Sequence, residues 1–250
     1  MTPQIPDYLL AFESTTRPVV AAIALSLIWQ GASRMEAPAR SRYTTAAVLS
    51  VLLLAWLAIA QYVAAANSYF LNTDTAAPTL LLGLLTPLLV AAAGLWLSGS
   101  VARLVSAIPT SWLVAVQVYR LEGGIFLVLW ADGRLPWQFA LPAGVGDVAT
   151  GLFAIVVATR LAQKTAGAYK AAYAWCLFGI GDLVVAVMMG AMTSPGRAHL
   201  FAFESPNLLV SSYPLVMVPT FAVPFALMLH GLVLWRLRQE IASPARLAAA

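Results

Sequence analysis

Residues 43–66 read YTTAAVLSVLLLAWLAIAQYVAAA, a stretch of apolar and small side chains without any Asp, Glu, Lys or Arg. A helix rises about 1.5 Å per residue, so a helix of this length crosses the roughly 30 Å hydrocarbon core of a bilayer. A run this long and this apolar is typical of a transmembrane helix. It therefore predicts a helix that is placed in lipid.

The whole chain shares this composition. Of its 250 residues, 61% are hydrophobic and 10% are charged, against roughly 45–50% and about 25% in soluble domains. These values exclude an ordinary soluble enzyme, a disordered chain and a soluble nucleic-acid binder. The net charge of +4 is better explained by basic loops beside a membrane than by nucleic acid, so the predicted partner is the lipid bilayer.

Six further apolar runs accompany the first one. Together they predict an all-α polytopic bundle of seven transmembrane helices in a single transmembrane domain, residues 1–250. The predicted spans are 18–30, 43–66, 78–97, 108–130, 136–158, 171–192 and 208–237. The first span is short, and residues 5–12 before it predict a separate helix lying at the membrane interface.

Basic residues in the loops predict the orientation of the bundle. The loops after spans one, three and five, with the C-terminal segment, hold ten Arg and Lys, whereas the opposite loops hold three. Cytoplasmic loops are the ones enriched in Arg and Lys. The N-terminus is therefore expected outside and the C-terminus in the cytoplasm, in the inner (cytoplasmic) membrane of a bacterium.

Ionisable side chains near the middle of predicted spans mark a candidate buried polar cluster. It comprises Gln117, Arg120, Glu122, Asp147 and Asp182, all in spans four to six. A charged group at the centre of a membrane helix costs roughly 2.5–3.5 kcal/mol on insertion scales, and such groups commonly mark substrate pathways or proton relays. The alternative is structural, with Arg120 pairing with carboxylates to fix the packing of the helices.

The two aspartates belong to a short repeat. Residues 144–148 read GVGDV and residues 179–183 read GIGDL. Asp147 lies 13 residues before Arg160 and Asp182 lies 12 residues after Lys170, so both are expected at about the same depth on neighbouring antiparallel helices.

Small residues accompany each aspartate at helical spacing. Such stripes let two backbones approach closely, and if the stripes face each other the carboxylates meet and can share a proton. Alternatively, the glycines only pack, and each aspartate bonds to Arg120 or Gln117. The helix-packing glycines of this prediction are Gly144, Gly151, Gly179 and Gly190.

No cofactor or metal is predicted. His199 falls in an outer loop and His230 lies six residues before Arg236, near the expected inner boundary, so the pair is not placed to bind one haem. There is no HxxxH or CxxC spacing for a tetrahedral metal site. His230 is retained as a possible secondary site, although a packing role is the more common one.

Residues 179–182, Gly-Ile-Gly-Asp, resemble the GxGD signature of the intramembrane aspartyl proteases, the presenilin and prepilin-peptidase group. The resemblance is confined to this motif and implies that Asp182, with Asp147 as second aspartate, activates water as a general acid and base. The chain departs from the presenilin-like pattern because Gly146 stands where the first motif has Tyr, and Pro224-Phe225-Ala226-Leu227 only partly matches the Pro-Ala-Leu motif.

Three functions follow as hypotheses. The leading one is binding or translocation of a small solute or proton at a polar site in spans four to seven. The second is an intramembrane aspartyl-type hydrolase that uses Asp147 and Asp182. The third is a non-catalytic accessory subunit of a membrane complex, with an oligomer or a complex partner.

Overall fold

The computed structural model describes residues 4–66 and 76–242, and every regular element within these two stretches is helical. The C-terminal Arg246, one of the ten basic residues counted above, lies outside them. In chain order the elements are α1 (Asp7–Arg34), α2 (Ala39–Ala65), α3 (Ala76–Leu97), α4 (Gly99–Ala107), α5 (Thr110–Ala115), a 3-10 segment (Val116–Gly123), α6 (Gly124–Ala131), α7 (Trp137–Ala162), α8 (Ala168–Thr193), a π segment (Val218–Ala222) and α9 (Val223–Ala242).

Seven helical stretches of the described chain are long and apolar enough to cross a membrane. Five of them are single helices. The fourth stretch runs through α5, the 3-10 segment and α6, and the seventh runs through the π segment and α9. Large apolar side chains on α2 and α3 point outward, including Ile59 and Leu89, as expected for helices that face lipid. The predicted helical membrane bundle is therefore confirmed.

The first span differs from its prediction. A single helix, α1, covers both the expected interfacial helix and the short apolar run that follows it. Two charged residues that we placed outside the span are neutralised within α1, because Arg17 Nε and Glu13 Oε2 pair at 2.9 Å one turn apart. This pairing lowers the cost of placing both charges in the helix, and Pro18 is accommodated inside it.

The last span also differs from its prediction. Residues 209–216 form turns and bends, and the helical stretch that could span the membrane begins only at Val218. Pro214 lies in these turns, where it provides no backbone N–H for a helix. At the other end, α9 continues to Ala242, and Arg236 pairs with Glu240 at 3.3 Å within the helix. The helical stretch is therefore shifted toward the C-terminus relative to the predicted 208–237.

The candidate site is built around α7. This helix packs against α8 and against the composite fourth stretch of α5, the 3-10 segment and α6. A Cβ on Gly144 would lie 2.8 Å from Leu127, and one on Gly151 would lie 3.0 Å from the Leu121 amide nitrogen. These two glycines thus bring the α7 backbone against the fourth stretch, which places Asp147 beside Arg120.

Candidate functional site

The 3-10 segment sets the direction in which each side chain of the fourth stretch points. A 3-10 helix has about three residues per turn, so residues three apart lie directly above one another. Gln117, Arg120 and Gly123 follow this spacing and all three are buried. Tyr119 and Glu122 form a second row, and they line a cavity whose other walls include residues of α1 and of the π segment. The 3-10 segment therefore places Arg120 and Glu122 in different rows although they are close in sequence.

Arg120 is the centre of a buried cluster and is 2% exposed. Its Nε donates a hydrogen bond to Asp147 Oδ1 at 2.7 Å, and its Nη2 forms an ion pair with Asp182. Its Nη1 lies 3.4 Å from the carbonyl oxygen of Gly179 and 3.4 Å from His230 Nε2. We call Arg120, Asp147, Asp182 and His230 the Arg120 cluster; its members come from the 3-10 segment, α7, α8 and α9.

Glycines provide the space for this cluster. A Cβ on Gly146 would collide with the carboxylate of Asp182, and a Cβ on Gly123 would collide with the side chain of Asp147. A Cβ on Gly179 would meet the imidazole of His230. Each side chain other than Arg120 therefore occupies the volume that a glycine leaves empty on a neighbouring helical element.

His230 is neutral in this arrangement. Arginine nitrogens carry only donors, so His230 Nε2 accepts from Arg120 and the ring proton is assigned to Nδ1. The imidazole lies against the indole of Trp175, with ring centroids 4.7 Å apart. Within the described chain, His230 Nδ1 has no hydrogen-bond partner. The ring thus supports Arg120 from the α9 side without adding a charge.

The cluster carries more negative than positive charge. Arg120 supplies one positive charge, whereas Asp147 and Asp182 supply two negative charges when both are ionised. The carboxylates contact the same guanidinium nitrogen, so they lie close together. In a medium of low dielectric an uncompensated charge is costly, and a single proton on one of the aspartates would remove the surplus.

A narrow cavity adjoins the cluster. Its polar lining consists of Glu13, Tyr119, Arg120, Glu122 and Asp147, and its remaining walls are apolar. It has room for about one or two water molecules. Asp147 therefore has one side toward Arg120 and another toward a space that water can enter.

Gln117, Glu122 and His230 differ from one another in where they lie relative to the aspartates. Gln117 is fully buried, and its Nε2 donates to the carbonyl of Ala226 at 3.1 Å. It fastens the 3-10 segment to α9 and is no partner of the aspartates in the described chain. Glu122 has no ion pair with Arg120, although both side chains line the same cavity. His230, expected near the inner boundary, is instead a member of the Arg120 cluster.

The two glycine stripes do not face each other. Gly144 and Gly151 of α7 face the fourth stretch, whereas Gly179 of α8 faces His230 of α9 and Thr150 of α7, and Gly190 of α8 lies beside Phe139 of α7. The aspartates still approach each other, but through Arg120. The glycine that faces Asp182 is Gly146, which we did not single out. Its only sequence signal is its place in the GVGDV repeat, where it directly precedes an aspartate.

Among the described residues, no group of three or more His, Cys, Asp or Glu side chains is placed to hold a metal ion. The charged groups of the Arg120 cluster allow hydrogen bonds, ion pairs and proton exchange at carboxylates. Arg120 is always charged, so it can stabilise a carboxylate or bind an anionic group.

Residues 77–238 match the family model described as Domain of unknown function (DUF8737). The chain belongs to this family. The DUF8737 match contains every member of the Arg120 cluster, together with Gln117 and Glu122. It leaves out Glu13 and Arg17 of α1. No curated protein and no solved structure matches the chain.

Proposed function

We propose that this DUF8737 protein binds a proton at the Arg120 cluster and moves it across the membrane, alone or together with a small solute. The observation that carries this proposal is the pairing of one buried arginine with two aspartates beside a cavity of water size. Ionisable groups inside membrane helices commonly serve as proton relays. The surplus negative charge of the cluster favours the binding of one proton.

The proposed exchange involves no covalent change apart from proton transfer. A cavity water gives a proton to a carboxylate oxygen of Asp147, where an O–H bond forms as one on the water breaks, and that water takes up a proton from the solvent in its place. Because the two aspartates contact the same guanidinium nitrogen, protonation of either one weakens its ion pair and leaves Arg120 to the other. Return of the proton to water restores both pairs, so the arginine stays charged throughout.

The orientation and the membrane are part of this proposal. The bias of basic loop residues favours an outer N-terminus and a cytoplasmic C-terminus, in the inner membrane of a bacterium. Glu13 is the seventh residue of α1, roughly 10 Å from the start of that helix. In this orientation the cavity beside the cluster lies toward the outer half of the bundle.

The two other hypotheses make different demands on the site. An aspartyl hydrolase needs a water held between its two carboxylates, and here the Arg120 guanidinium lies between them. An accessory subunit has no need for the aspartates to be ionisable. Substitution of each aspartate by asparagine therefore separates the proton-moving function from a structural one.

The test uses the purified protein in liposomes adsorbed on a solid-supported membrane, where a pH jump displaces charge if protons are bound or moved. We expect a transient current from the wild-type protein and a current at the background of empty liposomes from Asp147→Asn and Asp182→Asn. Asp132→Asn is the matched control, because Asp132 is exposed and, within the described stretches, accepts a side-chain hydrogen bond only from Tyr8 Oη, at 2.6 Å. Wild-type currents in both site variants, or no current from the wild-type protein, would overturn the proposal.

A further inference from the structure

A second cavity continues the first one toward α1. Its polar lining is Glu13, Thr16, Arg17 and Glu122. The two cavities share both glutamates and two residues of the π segment, Val218 and Ala222. Since the same side chains line both spaces, the two cavities are neighbours. Together they extend from Asp147 and Arg120 at one end to Thr16 and Arg17 at the other.

Glu122 stands where the two cavities join and has no cation of its own in the described chain. Arg120 is engaged by the two aspartates. Arg17 is engaged by Glu13 at 2.9 Å and by Gln61 Oε1 at 2.6 Å. No described residue donates a hydrogen bond to the carboxylate of Glu122, which is partly buried. A carboxylate that is shielded from water and has no ion pair is costly as an anion, so Glu122 is suited to hold a proton.

Glu13 occupies a different environment beside the same two cavities. It is 4% exposed and keeps its ion pair with Arg17 on the next turn of α1. The charged and titratable groups that face Glu122 are Glu13 and Arg17 of α1, Asp147 of α7, and Tyr119 and Arg120 of its own segment. Two carboxylates therefore lie along the cavities that lead to the Arg120 cluster. Glu13 is paired with an arginine, and Glu122 is not.

From this geometry we infer that Glu122, with Glu13, forms the proton entry route between the N-terminal end of α1 and the aspartates. The inference rests on the proposed function and names the residues that supply its proton. At each step a carboxylic O–H bond breaks as an O–H bond forms on a cavity water, and the next carboxylate receives a proton in the same way. One proton changes place and no oxidant or reductant is required.

The walls of the route favour protons over larger ions. Phe12, Phe126 and Leu183 line the first cavity, and Phe221 and Met217 line the second. The second cavity, like the first, has room for about one water molecule. A hydrated metal cation needs more space than this, whereas a proton passes along single waters and carboxyl groups.

The experiment measures the rate of the pH-jump current in proteoliposomes for five variants of the full chain. Glu122→Gln removes the ionisable group, and Glu122→Asp restores it on a shorter side chain. Ala222→Leu places a larger side chain at a position that lines both cavities and so reduces their volume. Glu36→Gln is the control, because Glu36 is an exposed glutamate. Asp182→Asn reports on the proposed function itself.

We expect Glu122→Gln and Ala222→Leu to slow the current by at least about tenfold, as for loss of a positioned acid–base group. Glu122→Asp should recover part of the rate, and Glu36→Gln should match the wild-type protein. Wild-type rates in both Glu122→Gln and Ala222→Leu, with no current in Asp182→Asn, overturn the entry route and leave the proposed function standing. A wild-type current in Asp182→Asn overturns the proposed function. If Glu122→Gln does not fold, Glu122→Asp and Ala222→Leu decide by the same criterion.

Discussion

The carboxylate of Asp182 lies in the space that a Cβ atom on Gly146 would fill. Gly146 belongs to α7 and Asp182 to α8, so this contact sets how closely the two helices approach at the depth of Arg120. In the same way, the imidazole of His230 lies in the space that a Cβ atom on Gly179 would fill. The glycines of the cluster are therefore part of its electrostatics as well as of its packing.

Substitution of Gly146 tests this contact directly. Gly146→Ala should push the Asp182 carboxylate away from Arg120, and breaking a buried ion pair costs about 3–5 kcal/mol. Gly181→Ala is the matched control, because Gly181 directly precedes Asp182 in α8 as Gly146 precedes Asp147 in α7, but nothing lies within 4 Å of its Cβ position. We expect thermal unfolding in detergent to show a large loss of stability for Gly146→Ala and little change for Gly181→Ala. Equal stability of the two variants would show that Asp182 does not depend on this space.

The contact between Gly179 and His230 gives a second test. Gly179→Ala should displace the imidazole from Arg120 and from the Trp175 ring. Gly231→Ala is the control, since Gly231 follows His230 in α9 and has open space at its Cβ position. We expect the intrinsic fluorescence of the purified protein to change in Gly179→Ala, because Trp175 loses its ring partner, and to stay unchanged in Gly231→Ala. An unchanged spectrum in Gly179→Ala would contradict the described packing.

Removal of the buried cation should be strongly destabilising. Arg120→Gln leaves two carboxylates close together without a counter-charge, and loss of one partner of a buried ion pair costs about 3–5 kcal/mol. The triple variant Arg120→Gln, Asp147→Asn, Asp182→Asn removes all three charges and should recover most of the unfolding temperature without recovering proton movement. If Arg120→Gln alone is as stable as the wild-type protein, the cluster is not held together by charge.

The sequence was sufficient for the number of helical stretches that could span a membrane and for the common height of the two aspartates. Asp147 and Asp182 were expected at the same height from their distances to Arg160 and Lys170, and in the structure both contact one guanidinium nitrogen. Each estimate counted residues along one helix from a charged loop end. This method works because the rise per residue of a helix is nearly constant.

The same method misplaced His230. Its depth was counted from Arg236 as though that residue marked the membrane boundary. Arg236 instead pairs with Glu240 one turn later and lies inside α9. Because His230 contacts Arg120, it lies closer to the height of the aspartates than the count suggested. The sequence also could not predict which faces of the helices meet. Gly144 and Gly146 are equally small, and only the packing of α7 decides which of them faces Asp182.

The irregular segments of the fourth and seventh stretches are joined by one hydrogen bond. Tyr119 Oη donates to the carbonyl of Ala222 at 3.0 Å, linking the 3-10 segment to the π segment. Tyr119→Phe should lower stability by about 0.5–1.5 kcal/mol and should alter the rate of proton entry, because both segments line the route. Tyr62→Phe on the exposed face of α2 is the control. Identical stability and rate in the two variants would show that this link is without consequence.

The central claim is that the aspartates bound to Arg120 take up and release a proton. Infrared difference spectroscopy of the protein in lipid measures this directly, because a protonated carboxyl has a C=O stretching band that the carboxylate lacks. On acidification we predict a carboxyl band in the wild-type protein and in Asp132→Asn, and the loss or shift of that band in Asp147→Asn and in Asp182→Asn. A carboxyl band that is identical in the wild-type protein and in both site variants would contradict the account.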